Sequence, residues 1–147
     1  MNILEANEIN RWMEVMHSSW GGSAESISCA MELPVEQVIA TIGSQNLRSN
    51  GREQLQKALL HDNDELAMFW QLYRESWRDT ESPLCTAHAY SHLQRMLRPN
   101  SSVTFEACIE MRELFDSAFA SVKTCWHCNR LMINIPFLQT QAPECCQ

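Results

Sequence analysis

Residues 123–147 read KTCWHCNRLMINIPFLQTQAPECCQ and hold four of the seven cysteines in the chain. Cys125 and Cys128 form a C-x-x-C pair, and Cys145 and Cys146 follow after sixteen intervening residues. Tetrahedral zinc takes four soft, deprotonated donors, and C-x-x-C lets two thiolates of one tight turn reach the same ion. A second pair about 15 to 20 residues on completes the usual ribbon. Neighbouring cysteines in an extended chain point opposite ways, so Cys145 and Cys146 both bind only where the backbone turns sharply. Otherwise one binds, and the fourth donor comes from Cys108, His127, His88, His92 or another chain. Two rival readings stand beside zinc. A thioredoxin-like redox pair needs its C-x-x-C at a helix start after a strand of an α/β unit; the other rival is cysteines without chemistry. Four protein donors leave no open position for water, so a metal here would be structural, folding a segment too short to bury its own core.

Upstream of this stretch the apolar residues recur at helical spacing. Leu4, Ile9, Trp12, Met13 and Met16 pattern a first helix, which Gly21 and Gly22 stop. Residues 24–45 then resolve into two short helices. Ile27, Cys29, Ala30 and Met31 lie on the first, Leu33 falls at the turn, and Pro34 starts the second. Val35, Val38, Ile39 and Ile42 stripe that second helix, and Gly43 offers its C-cap. After a turn at Asn50-Gly51, one segment carries Leu55, Ala58 and Leu59. Another carries Leu66, Phe69, Trp70, Tyr73 and Trp77. A further helix over 84–97 has Leu84, Ala87, Tyr90, Leu93, Met96 and Leu97 on one broad face. The last helix, over 103–121, has Phe105, Cys108, Ile109, Arg112, Phe115 and Phe119 in sequence. Only LMINIPFL (131–138) favours a strand. The expected fold class is all-α: a multi-helix body over 1–121, helix-turn-helix-like at 24–45, with a small cysteine-rich zinc-binding knuckle over 122–147.

A chain of 147 residues buries a real core and defaults to one compact domain, with room for a small appendage. It has no run of about 18 apolar residues and so no expected membrane span. The opening MNILEANEINRWMEV carries acids early and lacks the basic-then-apolar order of a signal peptide, so a cytoplasmic location is expected. There thiols stay reduced, and an odd cysteine count raises no pairing problem. Net charge is −7, whereas a small protein that grips DNA alone usually shows a basic surface. Contact with nucleic acid would therefore run through a local patch or beside a more basic partner.

No G-x-S-x-G, P-loop, H-E-x-x-H or paired-carboxylate signature appears, so an enzyme is not expected. His88 and His92 stand at ligand spacing but lack an acidic partner, and are expected to form a polar edge of their helix. Residues 61–65, HDNDE, resemble part of a calcium loop yet lack its glycine and closing glutamate. They fit a helix N-terminus, where acids suit the dipole. Cys29, Cys85 and Cys108 lie on apolar faces and are expected in the core. In helix-turn-helix units the second helix enters the major groove. Here it would show Glu36, Gln37, Ala40, Thr41, Ser44 and Gln45, with no Lys or Arg of its own. Gln37, Thr41 and Gln45 would face bases, and Arg48, Arg52, Lys123 and Arg130 would hold phosphates. An ordinary helical corner is the alternative.

Several segments resemble the FlhC family, the zinc-containing subunit of the bacterial flagellar master activator. They are SISCAMELPVEQVIATIG (26–43), AMFWQLYRE (67–75), SPLCTAHAYSHLQRML (82–97) and ELFDSAFASVKTCWHC (113–128). The resemblance runs from about Ser26 to Cys146. Its most specific feature is the step from Cys128 to Cys145, which equals the family's step between its second and third zinc cysteines. The resemblance implies a largely helical subunit that joins an FlhD-like partner, binds promoter DNA with it and recruits RNA polymerase. It implies Zn2+ on Cys125, Cys128 and Cys145, with Cys146 in the fourth place once a gap of two residues is allowed. Similar subunits serve conjugative plasmids, integrative elements and some phages. A protein-interaction module without DNA contact, acting as antagonist of a related activator, is the alternative.

Overall fold

The computed structural model describes residues 3–43, 50–80 and 82–139, the side chains of Leu4 and Thr80 excepted. Gln45, Arg48, Cys145 and Cys146 lie outside the described residues. Within them the chain is mostly helical, with one small two-stranded sheet. Helices α1 (Ile3–Ser18), α2 (Ala24–Met31), α3 (Val35–Ile42), α4 (Gly51–His61), α5 (Asn63–Thr80), α6 (Leu84–Gln94) and α7 (Phe105–Asp116) come first. Strands β1 (Ser121–Thr124) and β2 (Leu131–Asn134) and a 3-10 turn, Pro136–Leu138, follow.

Helix α7 is the central element. Phe105, Ala107, Cys108, Ile109, Met111 and Leu114 are buried, together with Glu106 and Arg112, so most of its circumference faces protein. The two charged residues explain why α2 sits where it does. Glu106 accepts from the Ser23 N–H and the Ser26 hydroxyl at the start of α2. Arg112 donates to the Cys29 carbonyl (2.6 Å) and the Ala30 carbonyl (3.4 Å) at its end, and to Thr86 Oγ1 of α6 (2.9 Å). A carboxylate at the amino end and a guanidinium at the carboxyl end both match the α2 dipole. They also satisfy groups that a helix end leaves without partners. Six residues of α7 span about 9 Å and the eight of α2 about 12 Å, so the two helices run parallel and the clamp fits their lengths.

Around this pair the core is aromatic. Trp70 of α5 stacks on Phe115 of α7 with centroids 3.7 Å apart and planes at 7°. Trp20, Tyr90 and Phe105 meet in edge-on and tilted contacts. Gly22 makes this possible, because a Cβ there would lie 2.9 Å from the Phe105 ring and 3.0 Å from the Met16 carbonyl. Cys85 and Cys108 are buried and Cys29 is half-buried, as the apolar faces required.

The two short helices at 24–45 are present, joined through Glu32, Leu33 and Pro34. Glu32 adopts φ 55°, the left-handed conformation that glycine usually supplies. The bonds Leu33 N–H to Ser28 O (3.2 Å) and Ser28 Oγ to Leu33 O (2.5 Å) hold it there. Gly43 caps α3 with φ 66° and donates to the Ile39 carbonyl.

Two helices are shorter than expected. The helix placed over 84–97 ends at Gln94, leaving Met96 exposed. Pro99 disfavours helix at Arg98, whose N–H is taken by Glu65 Oε2 (2.8 Å). The last helix starts at Phe105, where Thr104 Oγ1 accepts from the Ala107 N–H. It stops at Asp116 instead of running to 121. Ala118 turns to φ 64°, and the Phe119 N–H closes on the Leu114 carbonyl (2.8 Å), which projects Phe119 into solvent. The short strand expected in 131–138 is β2; its partner β1 overlaps the expected helix only at Ser121 and otherwise falls in the stretch expected to be the knuckle.

Residues 61–65 do form a helix start. Asp64 and Glu65 occupy the first turn of α5. The Arg98 guanidinium reaches Asp62 (2.9 Å) and both oxygens of Asp64 (2.8 Å each), and Ser102 donates to Asp62. Burial pushes the Asp62 carboxyl up, but the Ser102 and Arg98 hydrogen bonds outweigh it and hold the group below its usual value. The Arg98 hydrogen bonds hold Asp64 down as well, against partial burial.

Arg112→Ala is expected to lower the unfolding free energy by about 3 kcal/mol, seen as a fall in urea midpoint at unchanged slope. Arg112→Lys should recover little of it, since one ammonium cannot span two carbonyls and a hydroxyl. A loss under about 1 kcal/mol for the alanine variant would remove the clamp from this account. Asp62 and Asp64, with depressed native pKa values, stabilise the fold at neutral pH. That contribution is lost as pH falls below about 4, through the native values. Urea midpoints measured between pH 7 and pH 3 should stay level at first and then drop. Arg98→Gln should shrink the drop, and an unchanged profile would refute the assignment.

Candidate functional site

The C-x-x-C pair occupies the tip of the β1–β2 hairpin. The strands pair antiparallel, Ser121 opposite Asn134 and Thr124 opposite Leu131, and the six residues between them make the tip. Two backbone bonds shape it. The Cys125 N–H donates to the Arg130 carbonyl (2.9 Å), and the Asn129 N–H returns to the Cys125 carbonyl (2.8 Å). Asn129 takes φ 60°, which asparagine tolerates better than most side chains. The turn thus closes one residue after the second cysteine. The pair stands in a hairpin and at no helix start, so the dipole that activates thioredoxin-type cysteines does not act on it.

Among the described residues no group of three or more His, Cys, Asp or Glu side chains is placed to hold a metal. Among the described residues none of the alternative fourth donors is grouped with the pair. Cys108 is fully buried on α7, where burial pushes its thiol well up. His88 packs edge-on against Trp12 on α6, and His92 is exposed on the same helix. His127 neighbours the pair but lies beneath the Trp126 ring, with centroids 3.8 Å apart.

The hairpin is joined to the helical body by a residue that spacing did not single out. Asn63, the first residue of α5 and buried, donates from Nδ2 to the Ile133 carbonyl (2.9 Å). It accepts at Oδ1 from the Ile133 N–H (2.7 Å). Its amide thus acts as a further strand against the outer edge of β2. Ile133 and Ile135 are fully buried in the same core as the helices. The signal in the sequence was an asparagine inside an acidic helix start, which fits a cap equally well.

The expected contact residues divide between two places. Lys123 and Arg130 are exposed on the hairpin, on either side of the cysteines. Gln37 is exposed on α3, and Thr41 is half-buried there with its hydroxyl donating to the Gln37 carbonyl (3.1 Å). Helix α3 rests on α1 and α2, whereas the hairpin rests on α5. Arg52 opens α4 and is committed to Glu110 at 3.0 Å, with its guanidinium 5.3 Å from the Phe137 ring centre. Charge is segregated: no Asp or Glu occurs between Asp116 and Glu144, in a chain of net charge −7. The described hairpin is consequently a cationic spot on an acidic protein.

An apolar groove of about 490 Å³ opens beside it, lined by Arg52, Glu110, Glu113, Leu114, Phe119 and Phe137. Phe119 and Phe137 meet edge-on at 5.8 Å and both are exposed. Among the described residues no helix is long and apolar enough to cross a membrane. Comparisons with protein-family models, with curated proteins and with solved structures return no match for this chain.

Asn63→Ala leaves the buried N–H and C=O of Ile133 without partners, at a cost of about 2 kcal/mol. Hydrogen exchange should show faster exchange at Ile133 and Ile135 while α6 and α7 keep their protection. Equal loss of protection throughout would mean that the hairpin and the helices open only together.

Proposed function

We propose that this chain is an FlhC-like subunit of a heteromeric transcriptional regulator, which binds promoter DNA together with an FlhD-like partner and recruits RNA polymerase through that complex. One observation carries the reading: the Cys125–Cys128 turn heads an acid-free, cation-bearing hairpin on an otherwise acidic helical body. Structural Zn2+ would be held by Cys125 and Cys128 with Cys145 and Cys146. Four thiolates make a closed site whose role is to fold the segment. Lys123 and Arg130 would meet phosphates from the hairpin, and Gln37 and Thr41 would face base edges from α3. Gln45, to a base, and Arg48, to a phosphate, are further proposed contacts outside the described residues. A protein with so few available cations needs help to hold DNA, which supports a partner. The groove at Phe119 and Phe137 offers an apolar face for one.

A second reading is favoured by a specific observation. Arg52 is paired with Glu110, and the described face of α3 shows Glu36 and no cation. A zinc-stabilised interaction module without DNA contact, antagonising a related activator, would look the same there.

Purified, reduced protein is expected to carry about one zinc per chain, and Cys125→Ser to lose it. Cys146→Ser should lose it too, and retention of zinc in that variant would assign the fourth donor elsewhere. Duplex binding with the partner should weaken with salt, and Lys123→Ala should flatten the log–log slope by about 0.9. A slope near zero, with and without partner, excludes the regulator and leaves the module.

A further inference from the structure

Trp126 is 84 % exposed, the most exposed of the large apolar side chains described. Burying an indole is worth several times what most side chains gain, so a tryptophan left in water at a turn between two cysteines needs a reason. One side of the ring is already supported by His127, at 3.8 Å between centroids and 32° between planes. The rest of the ring's surface is open. Lys123 stands on β1 and Arg130 ends the tip just before β2, on either side of the ring in sequence, and no carboxylate lies on the hairpin.

We propose that the hairpin tip is a stacking platform for an unpaired nucleobase, with Trp126 as the platform and Lys123 and Arg130 holding the flanking phosphates. A base stacked on an aromatic ring and tracked by cations is the general mode of single-strand binding. A duplex keeps its bases stacked on one another and offers Trp126 only sugar and phosphate edges. Protein partners also favour Trp and Arg. Against them stands the charge pattern: Lys123 and Arg130 flank Trp126 with no carboxylate between Asp116 and Glu144, which favours phosphate there over an acid-free but neutral surface. The inference rests on the proposed function only for the class of ligand, nucleic acid, and goes beyond it in requiring a strand with unpaired bases.

The test is fluorescence anisotropy of a labelled dT15 strand and of a 15-base-pair duplex, with the reduced full chain carrying its own metal. The wild type should bind the strand at low salt. Trp126→Ala should weaken strand binding about 5- to 150-fold, and Trp126→Phe should restore most of it. Arg130→Ala, a second variant on an exposed side chain, should flatten the strand's log–log salt slope by about 0.7. Duplex binding with the partner should be unchanged by Trp126→Ala, because its contacts lie with phosphates. Strand binding absent from the wild type, or untouched by Trp126→Ala, overturns the proposal. So does a Trp126→Ala variant that binds the strand normally but fails to join the partner subunit, which would make the tip a protein contact. Strand binding that persists when duplex binding fails would sink the promoter reading and leave the platform standing.

Discussion

The arrangement depends on two charges that one buried helix carries into the core. Glu106 and Arg112 of α7 meet opposite ends of α2, each facing the pole of the helix dipole that it stabilises. Buried charges are costly unless they are hydrogen-bonded, and here most of the partners are the groups that a helix end leaves open; of the Arg112 nitrogens only Nε, buried, has no partner among the described residues. Helix α2 has only eight residues and would be marginal alone. The clamp turns that weakness into a positional constraint, because α2 cannot slide along α7 without stranding one end. Thr86 extends the constraint to α6, since the same guanidinium serves its hydroxyl.

A smaller device does for the hairpin what the clamp does for α2. Two strands of four residues are not stable by themselves in water. Asn63 supplies the missing edge, and Ile133 and Ile135 place the hairpin on the common core. The cysteine tip is thereby carried on the same rigid frame as the acidic first turn of α5. Asp62, Asp64 and Arg98 pin that turn from the other side. A metal at the tip would order the tip itself, while docking of the strands is already provided by protein groups.

Charge separates along the chain in a way that matters for binding. The helices carry the acids, and the hairpin carries Lys123, His127 and Arg130 without any. In a molecule of net charge −7, long-range repulsion of polyanions is weaker over that hairpin than over the acidic helices, which would favour approach from that side. The aromatic groove at Phe119 and Phe137 lies next to it, and a partner seated there would change the field that nucleic acid meets.

Local pattern was enough to reveal most helices, the paired short helices at 24–45, the Gly43 cap, the buried cysteines and the helix start at 61–65. Each depends on spacing or capping within a few residues, which is information the chain carries in order. The turn at Cys125–Cys128 was legible for the same reason. Helix ends near 94 and 116 were not, since they follow from Glu65 taking the Arg98 N–H and from a reversal at Ala118 that no glycine announces. Arg112 stood visibly in the apolar register, but only packing shows that its ligands are the carbonyls at 29 and 30, more than eighty positions away. Asn63 sat within a stretch that fits a helix N-terminus, and nothing in the spacing singled out Trp126. Tertiary structure decided the rest, because what a side chain does depends on the groups folding brings to it, and those come from distant parts of the chain.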